Sequence, residues 1–214
     1  MGVYYFPSDF VFWRKLPNHE NIKNKILNFV SSNPKILEKY DAVFNGKSSY
    51  NNKMMYDFFS SNEDICNSVI WDTLTEVLHE LNLKDKSEKI NISSSFINNV
   101  WCSKYEANST VSCHNHEGDG NIVSNVDGKL FKSSFSILYI VNDNNVSNQT
   151  EFIQPSSHRV SAYGRSETRF STSNLKEVGE GSILVFPTNL YHQVGHMIEP
   201  GRVIISANIS SCFV

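Results

Sequence analysis

The chain has 214 residues, 40% of them hydrophobic and 12% aromatic, which is enough for one substantial core and short for two. Its formal charge of −3 lacks the basic excess that sequence-independent nucleic-acid binding draws on, so nucleic acid is not an expected partner. No apolar run approaches the length of a membrane span, and the first residues lack the basic start and apolar stretch of a signal peptide.

In chain order, Asn18 to Ser32 carries Ile22, Ile26, Phe29 and Val30 at helical spacing, with Pro34 past the end, and predicts one amphipathic helix. Residues Asp41 to Phe59 are polar and rich in Asn, Ser and Tyr, and predict irregular surface. Ser61-Asn62-Glu63-Asp64 is a capping signal for a second helix, whose stripe of Ile70, Leu74, Val77, Leu78 and Leu81 would pack on a sheet. Beyond Lys86 the period changes. Short β-prone runs follow at Ile90 to Tyr105, Thr110 to His114, Phe135 to Asn142, Glu151 to Gln154, Arg159 to Tyr163, Thr168 to Ser173, Ser182 to Phe186 and Arg202 to Ser210. A short strand is also expected after Tyr191-His192.

Helices followed by many short strands predict an α+β, mainly β chain: a double-stranded β-helix, or jelly roll, braced by N-terminal helices. The expected organisation is a single domain over 1–214, with 1–86 as helical support and 87–214 as the jelly-roll core. The loops Glu117 to Lys132 and Pro155 to Arg169 are the candidate lids. Cys66, Cys102, Cys113 and Cys212 fall at no zinc-like spacing, and a chain of this size stands without staples, so reduced thiols in a cytoplasmic setting are expected.

The chemistry gathers around histidines. Cys113-His114-Asn115-His116 offers two imidazoles at i and i+2, which project from one face of an extended segment. Gly181-Ser-Ile-Leu-Val-Phe-Pro187 runs as a strand toward a turn that carries His192, and Arg202 opens a returning strand ten residues later. His114, His116 and His192 can therefore meet inside a barrel of strands. Imidazole suits iron, copper, nickel and zinc, and three protein ligands leave open positions on an octahedral ion. His19, His79 and His158 have no partners in sequence and are expected to be solvated, His196 to be at most peripheral, and Cys113 to face away from His114 into the core. Trp101 and Phe186 are most simply core.

From Trp101 to Asn208 the residues resemble the Fe(II)- and 2-oxoglutarate-dependent oxygenases, in particular the prolyl-4-hydroxylase-like branch with its small phage and bacterial members. The matching pieces are Trp101-x-x-x-Tyr105, His114-Asn115-His116, Phe135 to Val141, Gly181 to Pro187 with His192, and Arg202 to Asn208. The resemblance covers about half the chain. It implies a dioxygenase that uses Fe(II), 2-oxoglutarate and O2 to hydroxylate a C–H bond of a peptidyl or small-molecule substrate, releasing succinate and CO2. It further implies that His114 and His192 are metal ligands, that Arg202 and Tyr105 hold the far carboxylate of 2-oxoglutarate, and that Tyr139 is a further candidate there, a core tyrosine being the alternative.

The chain departs from the family pattern at position 116. The family has His-x-Asp or His-x-Glu, and this chain has His-x-His, which makes His116 the third ligand and Glu117 or Asp119 the alternatives. A second departure is Ile204, where related sequences often have serine; Ser206, on the same strand face as Arg202, could replace that hydrogen bond. Two other classes share the same strand pattern, a cupin-type metalloenzyme that does not use 2-oxoglutarate and a non-catalytic jelly-roll binding or structural protein.

Overall fold

The computed structural model describes residues 2–5, 10–40, 46–84, 92–116, 124–126, 128–143, 150–155 and 167–213. The chain opens with two paired strands, β1 (Gly2–Tyr5) and β2 (Phe10–Lys15), then helix α1 (His19–Ser32). Strands β3 (Glu38–Tyr40) and β4 (Gly46–Ser48) follow, then helices α2 (Met54–Ser61), α3 (Glu63–Cys66) and α4 (Asp72–Lys84). The β half holds β5 (Ile92–Lys104), β6 (Val111–His114), β7 (Ser124–Val126), β8 (Lys129–Asn142), β9 (Thr150–Pro155), β10 (Glu167–Ser171), β11 (Ser182–Pro187), β12 (Tyr191–Val194) and β13 (Val203–Phe213).

Two antiparallel sheets face each other. The major sheet runs β1-β2-β11-β8-β13-β5-β4-β3, with β7 paired to β8, and the minor sheet runs β10-β9-β12-β6. This is the jelly-roll architecture expected from the sequence. In β8, Phe135, Ile137, Tyr139 and Val141 face the helices, while Leu138 and Ile140 face the minor sheet. Both faces are covered, which is why Phe135 to Val141 is almost uninterruptedly apolar instead of alternating. The helical layer supplies Ile22 and Ile26 from α1, Met55 and Phe59 from α2, and Leu74, Val77 and Leu81 from α4 to the first of these cores. Phe152, Phe170, Phe186 and Leu190 fill the second, between the sheets.

Several expectations need correcting. Residues 41–59 are not all irregular surface: β4 pairs with β5, and α2 buries Met55 and Phe59 completely. Its N-cap position is Lys53, which makes no side-chain cap; Asn52 before it accepts from the Met54 N–H at 3.2 Å, and packing holds the rest of the helix. Residues 1–86 are not only helical support, since β1 to β4 extend both flanks of the major sheet and β2 pairs directly with β11. The second helix does begin at Glu63, but Asn62 donates to the Phe58 carbonyl at 2.7 Å instead of capping.

A π-helical turn, Asn67–Trp71, separates α3 from α4. The buried Arg14 of β2 donates to the Ser68 carbonyl in that turn at 2.9 Å and pairs with Glu76 of α4, tying the helical layer to the sheet. None of the four cysteines is in a disulfide; Cys113 is exposed and not in the core, because β6 turns that face to solvent. Among the described residues no helix is long and apolar enough to cross a membrane. The strand expected at 159–163, half of the lid at 117–132, most of the lid at 155–169, and Glu117, Asp119 and His158 lie outside the described residues; the described part of the first lid belongs mostly to β7 and the start of β8.

Candidate metal centre

The minor sheet places the first two histidines. His114, the last residue of β6, and His192, in β12, are direct cross-strand partners. Side chains of such a pair stand on one face and close together, and the ring centroids are 4.3 Å apart. His116 lies just past β6, where its backbone N–H donates to the Thr188 carbonyl at 2.8 Å and Asn115 reaches the Asn189 carbonyl. The turn after β11 thus clamps the chain that carries His116. Its ring centroid is 5.1 Å from that of His114 and 5.0 Å from that of His192.

One ligand atom from each histidine lies within 4.8 Å of the others. Nε2 of His116 and Nε2 of His192 are 3.3 Å apart. Two nitrogens that share one ion at about 2.1 Å stand roughly 3.0 Å apart in octahedral and roughly 3.4 Å apart in tetrahedral geometry, so the spacing fits a common metal. The opposite ring nitrogens are engaged too. His114 Nδ1 lies 2.8 Å from the Ser112 carbonyl and His192 Nδ1 lies 3.2 Å from the Leu190 carbonyl. A carbonyl can only accept, so both rings carry hydrogen on Nδ1 and turn the Nε2 lone pair inward. His192 is kept neutral: burial pushes its pKa well below the ordinary 6.5, and the neighbouring His114 and His116 push it the same way. Neutral, lone-pair-in imidazoles are what a transition metal requires.

The histidines open onto a cavity of ≈ 220 Å³ between the sheets. Tyr105, Leu138, Ile204 and Ser206 form part of its wall, and Ser48, Tyr50, Trp101 and Ser103 form another part. Arg202 is 1% exposed and lies against Tyr105, its guanidinium carbon 5.5 Å from the ring centroid, and is not on the wall itself. Backbone bonds between Tyr105 and Arg202 at 2.9 Å, and between Gly201 and Tyr105 at 3.0 Å, hold the two residues side by side. Burial raises the Tyr105 hydroxyl above its ordinary pKa while Arg202 partly offsets this, so Tyr105 is a neutral hydrogen-bonding group. The expected set of His114, His116, His192, Tyr105 and Ser206 is therefore gathered at one cavity with Arg202 behind it.

Tyr139 is a correction. It points to the helical face of β8, where its hydroxyl lies 2.7 Å from Nδ1 of His19. Strand parity decides this: Leu138 of β8 lines the cavity, and the adjacent Tyr139 points to the opposite face. His19 is likewise not a solvated histidine, since Nε2 lies 3.3 Å from Glu180. His79 and His196 are exposed.

Some residues at the site carried no sequence signal of their role. Ser48 and Tyr50 come from the stretch expected to be irregular, and Tyr50 packs edge-on against Trp101, 5.1 Å between centroids. Trp101 is buried as expected but also lines the cavity, 5.6 Å from the His116 ring. Asn208 of β13 reaches His116 Nδ1 at 3.3 Å. It shares a strand face with Arg202 and Ser206, which was the one available clue.

Sheet order, helical layer and histidine cluster together define a jelly roll of the kind found in 2-oxoglutarate- and Fe(II)-dependent oxygenases. Solved structures similar to this chain include the non-haem α-ketoglutarate-dependent carbocyclase SnoK from nogalamycin biosynthesis (TM-score 0.58, 8% identity, covering 94% of this chain and 79% of that one). HygX from Streptomyces hygroscopicus, with nickel and 2-oxoglutarate bound, has TM-score 0.53 at 9% identity, covering 94% and 82%. A prolyl hydroxylase from Trichoplax adhaerens, in complex with a hypoxia-inducible-factor oxygen-degradation-domain peptide, has TM-score 0.51 at 11% identity, covering 94% and 83%. At such identities the likeness is one of fold. No protein-family profile and no curated protein matches the sequence.

Proposed function

We propose that this protein is a 2-oxoglutarate- and Fe(II)-dependent oxygenase that hydroxylates a C–H bond of a peptidyl or small-molecule substrate. The observation that carries the reading is the convergence of His114, His116 and His192 on one point at a cavity between the sheets, within a fold shared with such oxygenases. Of the similar structures, one is a prolyl hydroxylase in complex with a peptide fragment and one is a carbocyclase from nogalamycin biosynthesis, which supports leaving both substrate kinds in the reading. Held by the three imidazoles, Fe(II) would supply the oxygen-activating redox chemistry that no side chain provides, coupled to conversion of 2-oxoglutarate to succinate and CO2.

The residues divide the work by position. His114, His116 and His192 would hold the ion through Nε2 at the wall of the cavity. Arg202 would take the far carboxylate of 2-oxoglutarate, where a buried planar fork gives directional, charge-assisted bonds, and the neutral hydroxyls of Tyr105 and Ser206 would complete that cradle. Leu138, Val194 and Ile204, which line the cavity, would exclude water from the methylene stem. Ser48, Tyr50, Trp101 and Asn115 remain for the substrate. The ligand set is three neutral rings where the family pattern has a carboxylate, so charge balance at the ion falls to the anionic cosubstrate.

The test is an anaerobic Fe(II) titration with 2-oxoglutarate, followed by admission of O2. A weak visible charge-transfer band that needs both components, and succinate formed on aeration, are the expected results. A protein that binds neither component would remove the proposal.

A further inference from the structure

His116 is the ligand that replaces the carboxylate, and it is held differently from the other two. His114 and His192 donate Nδ1–H to backbone carbonyls, which admit one tautomer only. His116 Nδ1 meets a side chain, Asn208, whose amide nitrogen lies 3.3 Å away, and Oδ1 of Asn208 accepts from Ser136 Oγ at 2.9 Å. Asn208 and Ser136 are cross-strand partners on β13 and β8, and both are 98% buried. Trp101 covers the same ring.

An amide nitrogen that donates to Nδ1 places the ring hydrogen on Nε2, where it would point at His192 and block a metal. A half turn of the Asn208 amide exchanges its two ends. Oδ1 then accepts from His116 Nδ1–H, and Nδ2 donates to Ser136 Oγ. In both arrangements Asn208 bonds His116 and Ser136, because a serine hydroxyl can donate or accept and the two amide orientations have nearly the same shape, but once turned, Nε2 of His116 and Nε2 of His192 face each other as two lone pairs 3.3 Å apart that an ion would bridge. Only the turned arrangement frees the Nε2 lone pair for an ion. We infer that Asn208, backed by Ser136, is the positioning residue that sets the tautomer of His116 and so makes a three-histidine metal site possible in place of two histidines and a carboxylate. The inference rests on the metal reading proposed above and deepens it. Residues one shell out from a metal typically change affinity 10–100-fold when replaced.

The experiment compares Co(II) binding by the full-length protein, followed by its visible d–d absorption, in wild type, Asn208→Leu, Asn208→Asp, Ser136→Ala and His192→Ala. Asn208→Leu, of similar shape, should weaken Co(II) binding about 10–100-fold. Asn208→Asp, which can only accept from Nδ1–H, should bind at least as tightly as wild type. That rescue separates positioning from mere packing, since a buried carboxylate would damage a purely structural role. Ser136→Ala should weaken binding by less than Asn208→Leu does. Should Asn208→Leu fail to fold, long-range proton–nitrogen NMR of the Zn(II)-loaded wild type decides instead, with His116 protonated at Nδ1 as the expected result. Asn208→Leu binding within twofold of wild type, or His116 protonated at Nε2 in the loaded protein, would overturn the role of Asn208 and leave the metal site standing. Co(II) binding that is absent in wild type, or equal in His192→Ala, would overturn both.

Discussion

The resemblance placed Arg202 and Tyr105 on the far carboxylate of 2-oxoglutarate with Tyr139 as a further candidate, and the structure sends Arg202 and Tyr139 to opposite faces of the major sheet. Arg202→Lys keeps the charge and loses the planar fork, so the apparent KM for 2-oxoglutarate should rise about tenfold or more with kcat less affected; steady-state kinetics at saturating iron and O2 check this. Tyr139→Phe should leave that KM unchanged. It removes the hydroxyl that bonds His19 and should lower stability by about 1 kcal/mol, read from denaturant unfolding. Glu180 belongs to the same network, with Lys23, His19 and the Asp143 backbone N–H around it. Burial pushes its pKa upward, but the Lys23 bond and then the Asp143 and His19 bonds outweigh this and hold the carboxyl below its ordinary 4.5. A carboxyl depressed on folding adds stability above its unfolded value and loses it as pH falls through the folded one. Glu180→Gln should therefore be less stable than wild type by about 1 kcal/mol at pH 7, and the gap should close below pH 4.5 in unfolding titrations.

Among the elements, those whose hydrophobic period is strong stood out in the sequence. α1, β11 and β13 lie where the apolar pattern put them, to within a few residues, because each buries a face long enough to leave a periodic record; the second expected helix is divided into α3 and α4 by the π-helical turn, and β8 starts at Lys129, ahead of the expected Phe135. Short elements did not. β3 and β4 are three residues each, and α2 spans two turns without a cap, so their stability comes from neighbours far away in sequence. The turn into β11 shows how tightly such neighbours are set. Gly181 has φ +79°, and a Cβ there would stand 3.0 Å from Cγ of His19. Gly181→Ala should cost about 1–2 kcal/mol from the left-handed backbone alone, measured as a lowered denaturation midpoint with an unchanged slope.

For the whole molecule, the major sheet is a wall between two cores with different tasks. The helices seal one face, and the minor sheet with its histidines forms the other. Phe59 is fully buried on the helical side, so Phe59→Ala should destabilise the protein by about 3–5 kcal/mol, while the protein that remains folded should bind Co(II) with wild-type affinity. Equal loss of stability and metal affinity would show that the two cores are not independent.

The sequence by itself determined the strand and helix alternation of the long elements and let His114, His116 and His192 meet at one centre, because strand periodicity and the spacing of ligands along an extended segment are local properties; Tyr105 and Ser206 were drawn to that centre by the resemblance to the oxygenases. Tertiary structure alone decided that Tyr139 belongs to the helical side, that Ser48 and Tyr50 reach the cavity, and that Asn208 stands behind His116. Where both faces of a strand are buried, the apolar pattern is the same on each, so only the packing of remote segments says which face holds the chemistry.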